Sequence, residues 1–186
     1  MEELTKLQIG EHFTYKNMEW ICLDHINGNI LAMTAKVWQE LPFDVNNHND
    51  WNNSSLRRVL NNEFLEKLDR KHLVPFKPDL MADNGDLLYA EKAESDYVFI
   101  LSCDQYRKYR KHIPLFDEWM WTCTPWNCSP YSGNGDIVRF VYTTGSIHNS
   151  IAYNSNGVAP ACIFSSENLK LCRQAHLEEI DEPEEG

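Results

Sequence analysis

A chain of 186 residues with 42% hydrophobic content can bury a sizeable core without metal or disulfide staples. Its formal charge of −11 opposes binding to nucleic-acid phosphates and to anionic membranes but suits a basic protein partner, and no stretch is apolar and long enough to span a bilayer. Six tryptophans and an aromatic content of 12% exclude a largely disordered chain.

The start, Met1-Glu2-Glu3-Leu4-Thr5-Lys6, is acidic and polar and does not read as a signal peptide. A cytoplasmic location is therefore expected, with the six cysteines as thiols. The segment from Phe13 to Thr34 reads as strands. Asn27-Gly28 sits between two apolar runs and favours a type I′ hairpin turn, because both central residues need positive φ. Asn46 to Ser55 reads as a loop that feeds a helix from about Ser55 to Leu68. Leu56, Val59, Leu60, Phe64 and Leu68 then fall on one face, and Asn53 or Ser54 caps the start. Lys77 to Asp96 is polar, with Asn84-Gly85 as a turn, and reads as a surface excursion.

Tyr97-Val98-Phe99-Ile100-Leu101 has the composition of a buried strand. Ser102-Cys103-Asp104-Gln105 is a capping-box pattern that opens a short helix with Tyr106 and Tyr109 on one face, ending before Pro114. Glu118 to Cys123 reads as an aromatic strand, Pro125 to Asp136 as a loop, Ile137 to Tyr142 as a strand, and Ile147 to Tyr153 as its partner. Asn154-Ser155-Asn156-Gly157 reads as a turn, and Val158 to Phe164 as a last strand with Pro160 marking an edge or a bulge. Residues 1–176 form one expected domain. Residues 177–186 form an acidic tail expected to be disordered.

The order of these pieces carries a resemblance. It runs through Glu19-Trp20, then Asn53-Ser54-Ser55-Leu56-Arg57 with Leu60-Asn61-Asn62-Glu63-Phe64-Leu65. Phe99-Ile100-Leu101-Ser102, Trp119-Met120-Trp121, Gly145-Ser146 and Gly157-Val158-Ala159-Pro160-Ala161 follow. Together they resemble an uncharacterised family of bacterial and phage domains that read W-W-L-R-S and, later, G-V-R-P-A. That family is similar to the C-type-lectin-like fold, which also serves formylglycine-generating enzymes. The resemblance implies a compact α+β domain with two helices, small antiparallel sheets and ligand-bearing loops at one end. Both family arginines are missing, with Thr122 and Ala159 in their places. Loss of both at once leaves no orphaned partner if the two share a buried network.

Catalytic motifs are sparse. Enzymes on the related fold that oxidise a substrate cysteine use a cysteine pair, and Cys123 and Cys128 could be cast in that role. No Lys, Arg or His between Thr122 and Tyr131 would lower their pKa. Asp50-Trp51-Asn52-Asn53 only echoes the calcium triplets of true lectins, and the histidines are scattered with no helical i, i+4 pair. No metal and no cofactor is expected. The residues singled out for partner binding are Trp126, Tyr131, Tyr142, His148, Tyr153 and Asn154, since rigid aromatics among adaptable polar residues suit recognition. Trp119 and Trp121 read as core.

The expected function is a non-catalytic binding or adaptor module of bacterial or phage origin that recognises a protein. One alternative is an acidic inhibitor, of the anti-CRISPR kind, that occupies the basic channel of a nucleic-acid-binding defence protein. The other is a cysteine-dependent oxidising enzyme.

Overall fold

The computed structural model describes residues 2–3, 6–128, 134–166 and 170–171. After a two-residue strand, β1 (Glu2–Glu3), the chain forms an antiparallel run of β2 (His12–Tyr15), β3 (Met18–Ile26) and β4 (Asn29–Thr34). Asn27 and Gly28 join β3 to β4 at φ of 50° and 79°, the positive values that match a two-residue turn to strand twist. Trp20, Ile21, Cys22 and Leu23 are all fully buried, so β3 is covered on both faces. A bulge between Cys22 and Asp24 re-aims the carboxylate of Asp24. Lys108 Nζ and the Tyr109 hydroxyl donate to it at 2.6 and 2.7 Å. Burial pushes this carboxyl up, but its hydrogen bonds, those from Lys108 and Tyr109 foremost, outweigh burial and hold it below the usual carboxylate range.

After β5 (Gln39–Pro42) the chain enters the longest helical segment among the described residues. It comprises α1 (Ser55–Val59), a π-helical stretch (Leu60–Phe64) and a 3-10 turn (Leu65–Lys67). The Ser54 hydroxyl caps the start by accepting from the Arg57 amide. Leu56, Leu60 and Phe64 are buried and lie four residues apart. On a 3.6-residue helix that spacing drifts by about 40° per step; the wider π turn keeps Leu60 and Phe64 aimed inward. Val59 is only half-buried, so it leaves the face on which its sequence spacing placed it. Phe64 packs edge-on to Trp20 and Trp38 at 6.3 and 4.9 Å.

Two expectations fail between β6 (Leu73–Val74) and α3 (Cys103–Tyr109). The polar stretch from Lys77 to Asp96 is not wholly superficial. It holds a single helical turn, α2 (Leu88–Glu91), and buries Leu80, Ala82 and Tyr89. The run Tyr97 to Leu101 is buried as expected from Val98 onward but is not a strand. The Asn61 side chain accepts from the Tyr97 and Val98 amides, both at 3.1 Å, and donates to the Val98 carbonyl at 2.8 Å. One side chain thereby takes the place of a ladder, leaving only an isolated bridge from Phe99 to Ala161. In α3 the Ser102–Gln105 capping box is complete, and Tyr106 and Tyr109 face inward.

The remaining strands are β7 (Met120–Pro125), β8 (Ile137–Val141), β9 (Ile147–Ile151), β10 (Ser155–Val158), β11 (Ala161–Phe164) and β12 (Lys170–Leu171). The expected turn at Asn154 to Gly157 is therefore the strand β10 from Ser155 onward. It forms because β5 and β7 flank it and satisfy its backbone. One sheet has the order β2-β3-β4-β11-β6 and is antiparallel throughout. The other has the order β5-β10-β7-β8-β9, with β10 parallel to β7. The short pair β1-β12 forms a sheet of its own, with β12 lying near β2.

Pro160 sits at the switch between the large sheets, not at an edge: β10 ends in one, and β11 lies inside the other. The returning chain from Thr34 to Gln39 makes the same switch alongside, through Thr34 N to Pro160 O and Trp38 N to Val158 O, at 2.9 and 2.8 Å. The result is a mixed α+β architecture with a few short helices and a core shared by both sheets. Among the described residues no helix is long and apolar enough to cross a membrane.

Candidate binding site

The end of the second sheet carries aromatic rings on a rigid base. Phe140 on β8 is buried, and three partly exposed rings surround it. Trp119 stacks on it at 4.9 Å with planes 23° apart, and His148, directly opposite in the β8–β9 register, packs at 5.9 Å. Tyr142 touches both neighbours, at 5.4 Å from Trp119 and 5.3 Å from His148. Trp119 is 41% exposed, Tyr142 37%, and Leu115 63%. Leu115 and Tyr142 border one small crevice with Pro114 and Phe116.

The β8–β9 hairpin that presents Tyr142 and His148 is pinned from below. The Tyr106 hydroxyl donates to the Gly145 carbonyl at 3.1 Å, and Arg110 Nη1 donates to the same oxygen. The Tyr142 and Gly145 amides donate within the turn, to Ser146 and Tyr142 carbonyls, both at 2.7 Å. The Ser146 hydroxyl bonds the His148 ring at 2.9 Å. These contacts hold the rings in one geometry before any ligand arrives, which lowers the ordering cost of binding.

Beside Trp119 lies a cleft of about 380 Å³ bordered by Glu40, Asp117, Glu118, Trp119, Asn154, Ser155 and Asn156. Gly157 fixes its geometry. The Gly157 amide donates to the Trp119 carbonyl at 2.5 Å. A Cβ added there would meet that oxygen and Val37 Cγ2, both at 2.9 Å. Gly157→Ala is expected to lever β10 away from Trp119 and cost about 1–3 kcal/mol, read as a lower urea midpoint at unchanged m-value. An unaltered midpoint would show that the close approach is dispensable.

The six residues singled out from the sequence divide. Tyr142 and His148 come together, and Asn154 joins Trp119 at the cleft. Tyr153 is 61% exposed on the turn after β9, where its amide donates to Asn47 Oδ1 at 3.0 Å. Trp126 is half-buried elsewhere, under the Arg139 guanidinium at 5.1 Å. Tyr131 lies outside the described residues.

Trp119 is a correction: as a large aromatic it reads as core, like Trp121, which is indeed buried, but Trp119 stands before β7 begins and keeps one face open. Glu40, Asp117, Glu118 and Asn156 were not foreseen. Asp117-Glu118 immediately before a tryptophan was the one local signal available.

The loop after β7 is anchored by fully buried Asn49. Its Nδ2 donates to the carbonyls of Asn127, Asn134 and Ile137 at 2.9, 3.2 and 3.0 Å, while the Tyr89 hydroxyl donates to its Oδ1. Thr122 and Ala159, where the resemblance would place arginines, are both buried. The Thr122 hydroxyl donates to the Arg139 carbonyl at 2.7 Å.

The five described cysteines are free and buried. Burial pushes the Cys123 thiol well up and raises Cys128, the reverse of what a nucleophilic thiolate needs. The Asp50 carboxylate is spent on its own turn, accepting from the Asn52 amide at 3.0 Å and Asn53 Nδ2 at 2.6 Å. Among the described residues no three His, Cys, Asp or Glu side chains gather to hold a metal ion. Comparison of the chain with protein-family models, with curated proteins and with solved structures finds no match.

Proposed function

We propose that this protein is a non-catalytic binding module that docks a protein partner on the aromatic face formed by Trp119, Tyr142 and His148. The observation that carries the reading is the contiguous set of partly exposed rings over Phe140. Rigid, partly exposed aromatics are the side chains that most often anchor interfaces, and an exposed apolar patch on a fixed base costs solvation unless something covers it. Leu115 extends the same surface. In this reading the chain is a C-type-lectin-like domain of bacterial or phage origin, acting in the cytoplasm. Two sheets with few short helices and ligand groups gathered at one end suit that frame.

The acidic-inhibitor reading remains the second choice, on one observation: Glu40, Asp117 and Glu118 cluster beside the aromatic face. Such a cluster would steer a basic protein toward it. The buried, raised thiols of Cys123 and Cys128 weigh against the oxidising enzyme.

The test is affinity capture from the native host on immobilised protein, with a Tyr142→Ala/His148→Ala double variant of matched thermal stability alongside. A protein retained by the wild type and lost from the variant is the expected result. Identical capture by both would overturn the assignment of the face.

A further inference from the structure

The two large sheets have four edge strands, and three of them are guarded. β5 carries Glu40 and Pro42, β6 is only two residues long, and β12 lies near β2. Charge, proline, shortness and cover are the usual defences of an edge against pairing with another chain. β9 has none of them. Its five residues, Ile147-His148-Asn149-Ser150-Ile151, include no formal charge and no proline, and they pair with β8 in unbroken register. Among the described residues no strand lies beyond it.

The ladder fixes which backbone groups of β9 point outward. The Tyr142 amide donates to the Ser146 carbonyl and the Ala152 amide to the Asp136 carbonyl, both at 2.7 Å. These two pairs bracket the β8–β9 register, along which bonded and unbonded pairs alternate. His148 and Ser150 therefore bond to β8, and Ile147, Asn149 and Ile151 turn their amides and carbonyls away from it. Among the described residues the outward groups of Ile147 and Asn149 have no backbone partner. The Ile151 carbonyl accepts from the Asn154 amide at 3.1 Å and keeps a second lone pair. His148, Asn149 and Ile151 are exposed, so solvent reaches this edge.

We infer that β9 pairs antiparallel with β9 of a second copy of this chain, about a two-fold axis through Asn149. The strand is self-complementary around that residue, with an isoleucine at each end and polar residues between. Asn149 exchanges both outward backbone bonds with its own copy. Ile147 and Ile151 of one copy face Ile151 and Ile147 of the other, on the sheet face away from Phe140 and His148. A two-fold interface requires a surface that matches itself; any strand could use the free bonds, but the matched isoleucines single out a second copy. The net charge of −11 opposes association, yet no formal charge lies on β9, so the repulsion is long-range and screened by salt. The axis stands perpendicular to the sheet. Both ring clusters therefore lie on one face of a continuous sheet, and a partner that touches both gains avidity. This pairing is independent of the docking face proposed above: self-association reads the one, and capture the other.

The experiment oxidises two variants of the full chain mildly, Asn149→Cys and Ile151→Cys, with the wild type as the background for its native thiols. On the axis the two copies of residue 149 stand about 5.5 Å apart between Cα atoms, within reach of a disulfide. Residue 151 lies opposite residue 147, so its own copy is about 14 Å away along the strand and cannot be bridged. Asn149→Cys is expected to give about tenfold or more interchain disulfide than either Ile151→Cys or the wild type. Sedimentation equilibrium of the wild type is expected to show monomer and dimer with a dissociation constant of about 10–100 µM, as suits a small interface. Asn149→Pro removes an outward N–H, which an edge strand tolerates, and is expected to raise that constant about tenfold or more.

A wild type that stays monomeric at about 1 mM overturns the inference. So does Ile151→Cys cross-linking as well as Asn149→Cys, or an unchanged dissociation constant in a folded Asn149→Pro variant. If the proline variant unfolds, the cysteine pair still decides. If capture depends on Tyr142 and His148 in a chain that never self-associates, the docking face stands and only the strand pairing falls.

Discussion

Asp96→Ala is expected to destabilise the protein by about 3–5 kcal/mol, lowering the melting temperature by about 6–20 °C for a chain of this size. Asp96 is buried beside the start of the helical segment. Its carboxylate accepts from Trp51 Nε1 at 2.9 Å and from Arg57 Nε at 2.8 Å. Arg57 is itself only 18% exposed and donates further to the Asn52 carbonyl at 2.8 Å and to Glu94 at 3.2 Å. Burial pushes the Asp96 carboxyl above its ordinary value despite both donors. Burial likewise opposes the Arg57 charge, but Asp96 and Glu94 more than restore it. The site secures the cation more firmly than the anion.

Removing Asp96 therefore leaves a charged guanidinium without its buried counter-charge and an indole N–H without an acceptor, which is the costly way to break such a pair. Asp96→Asn keeps one acceptor oxygen and is expected to lose less. Asp96→Leu with Arg57→Leu removes both partners and is expected to cost less than the sum of the single changes. Urea unfolding monitored by two probes checks all three. A loss below about 1 kcal/mol for Asp96→Ala would show that the pair is held by its surroundings and contributes little itself.

What the sequence made legible follows the range of the interactions involved. The Asn27-Gly28 hairpin, the Ser54 cap and the Ser102–Gln105 capping box are closed by residues within three positions of one another, and each forms as its local chemistry dictates. Val98 to Leu101 carries the same apolar signal as a strand, yet its conformation is decided by Asn61, some 37 residues earlier. Ser155-Asn156-Gly157 has the composition of a turn and becomes a strand because β5 and β7 supply hydrogen-bonding edges on either side.

The candidate site divides the same way. Tyr142 and His148 flank a turn readable in the sequence, and antiparallel register then makes them neighbours. Glu40 reaches the cleft only because β10 lies between β5 and β7. Trp119 and Trp121, two residues apart, look alike in sequence; one stands before β7 and the other within it.

Trp119→Ala is expected to weaken binding of the captured partner by about thirtyfold or more, the loss typical of a central aromatic anchor. Among the described residues Trp119 alone belongs to both the ring cluster and the acidic cleft, so its removal strips the stacking surface from each. Trp119→Phe keeps a ring over Phe140 with less area and is expected to fall between wild type and alanine. Because one face of the indole already meets solvent, the alanine variant forfeits the ring contacts with Phe140 and Tyr142, each worth about 0.5–1.5 kcal/mol beyond area burial, and is expected to retain its fold. Near-UV circular dichroism and an unchanged urea m-value separate a folded variant that has lost its anchor from one that has loosened. Raising the salt concentration should slow association of the wild type while leaving dissociation nearly constant, since the carboxylates at the rim act chiefly on encounter. Binding within twofold of wild type in a folded Trp119→Ala variant would move the interface off this face altogether.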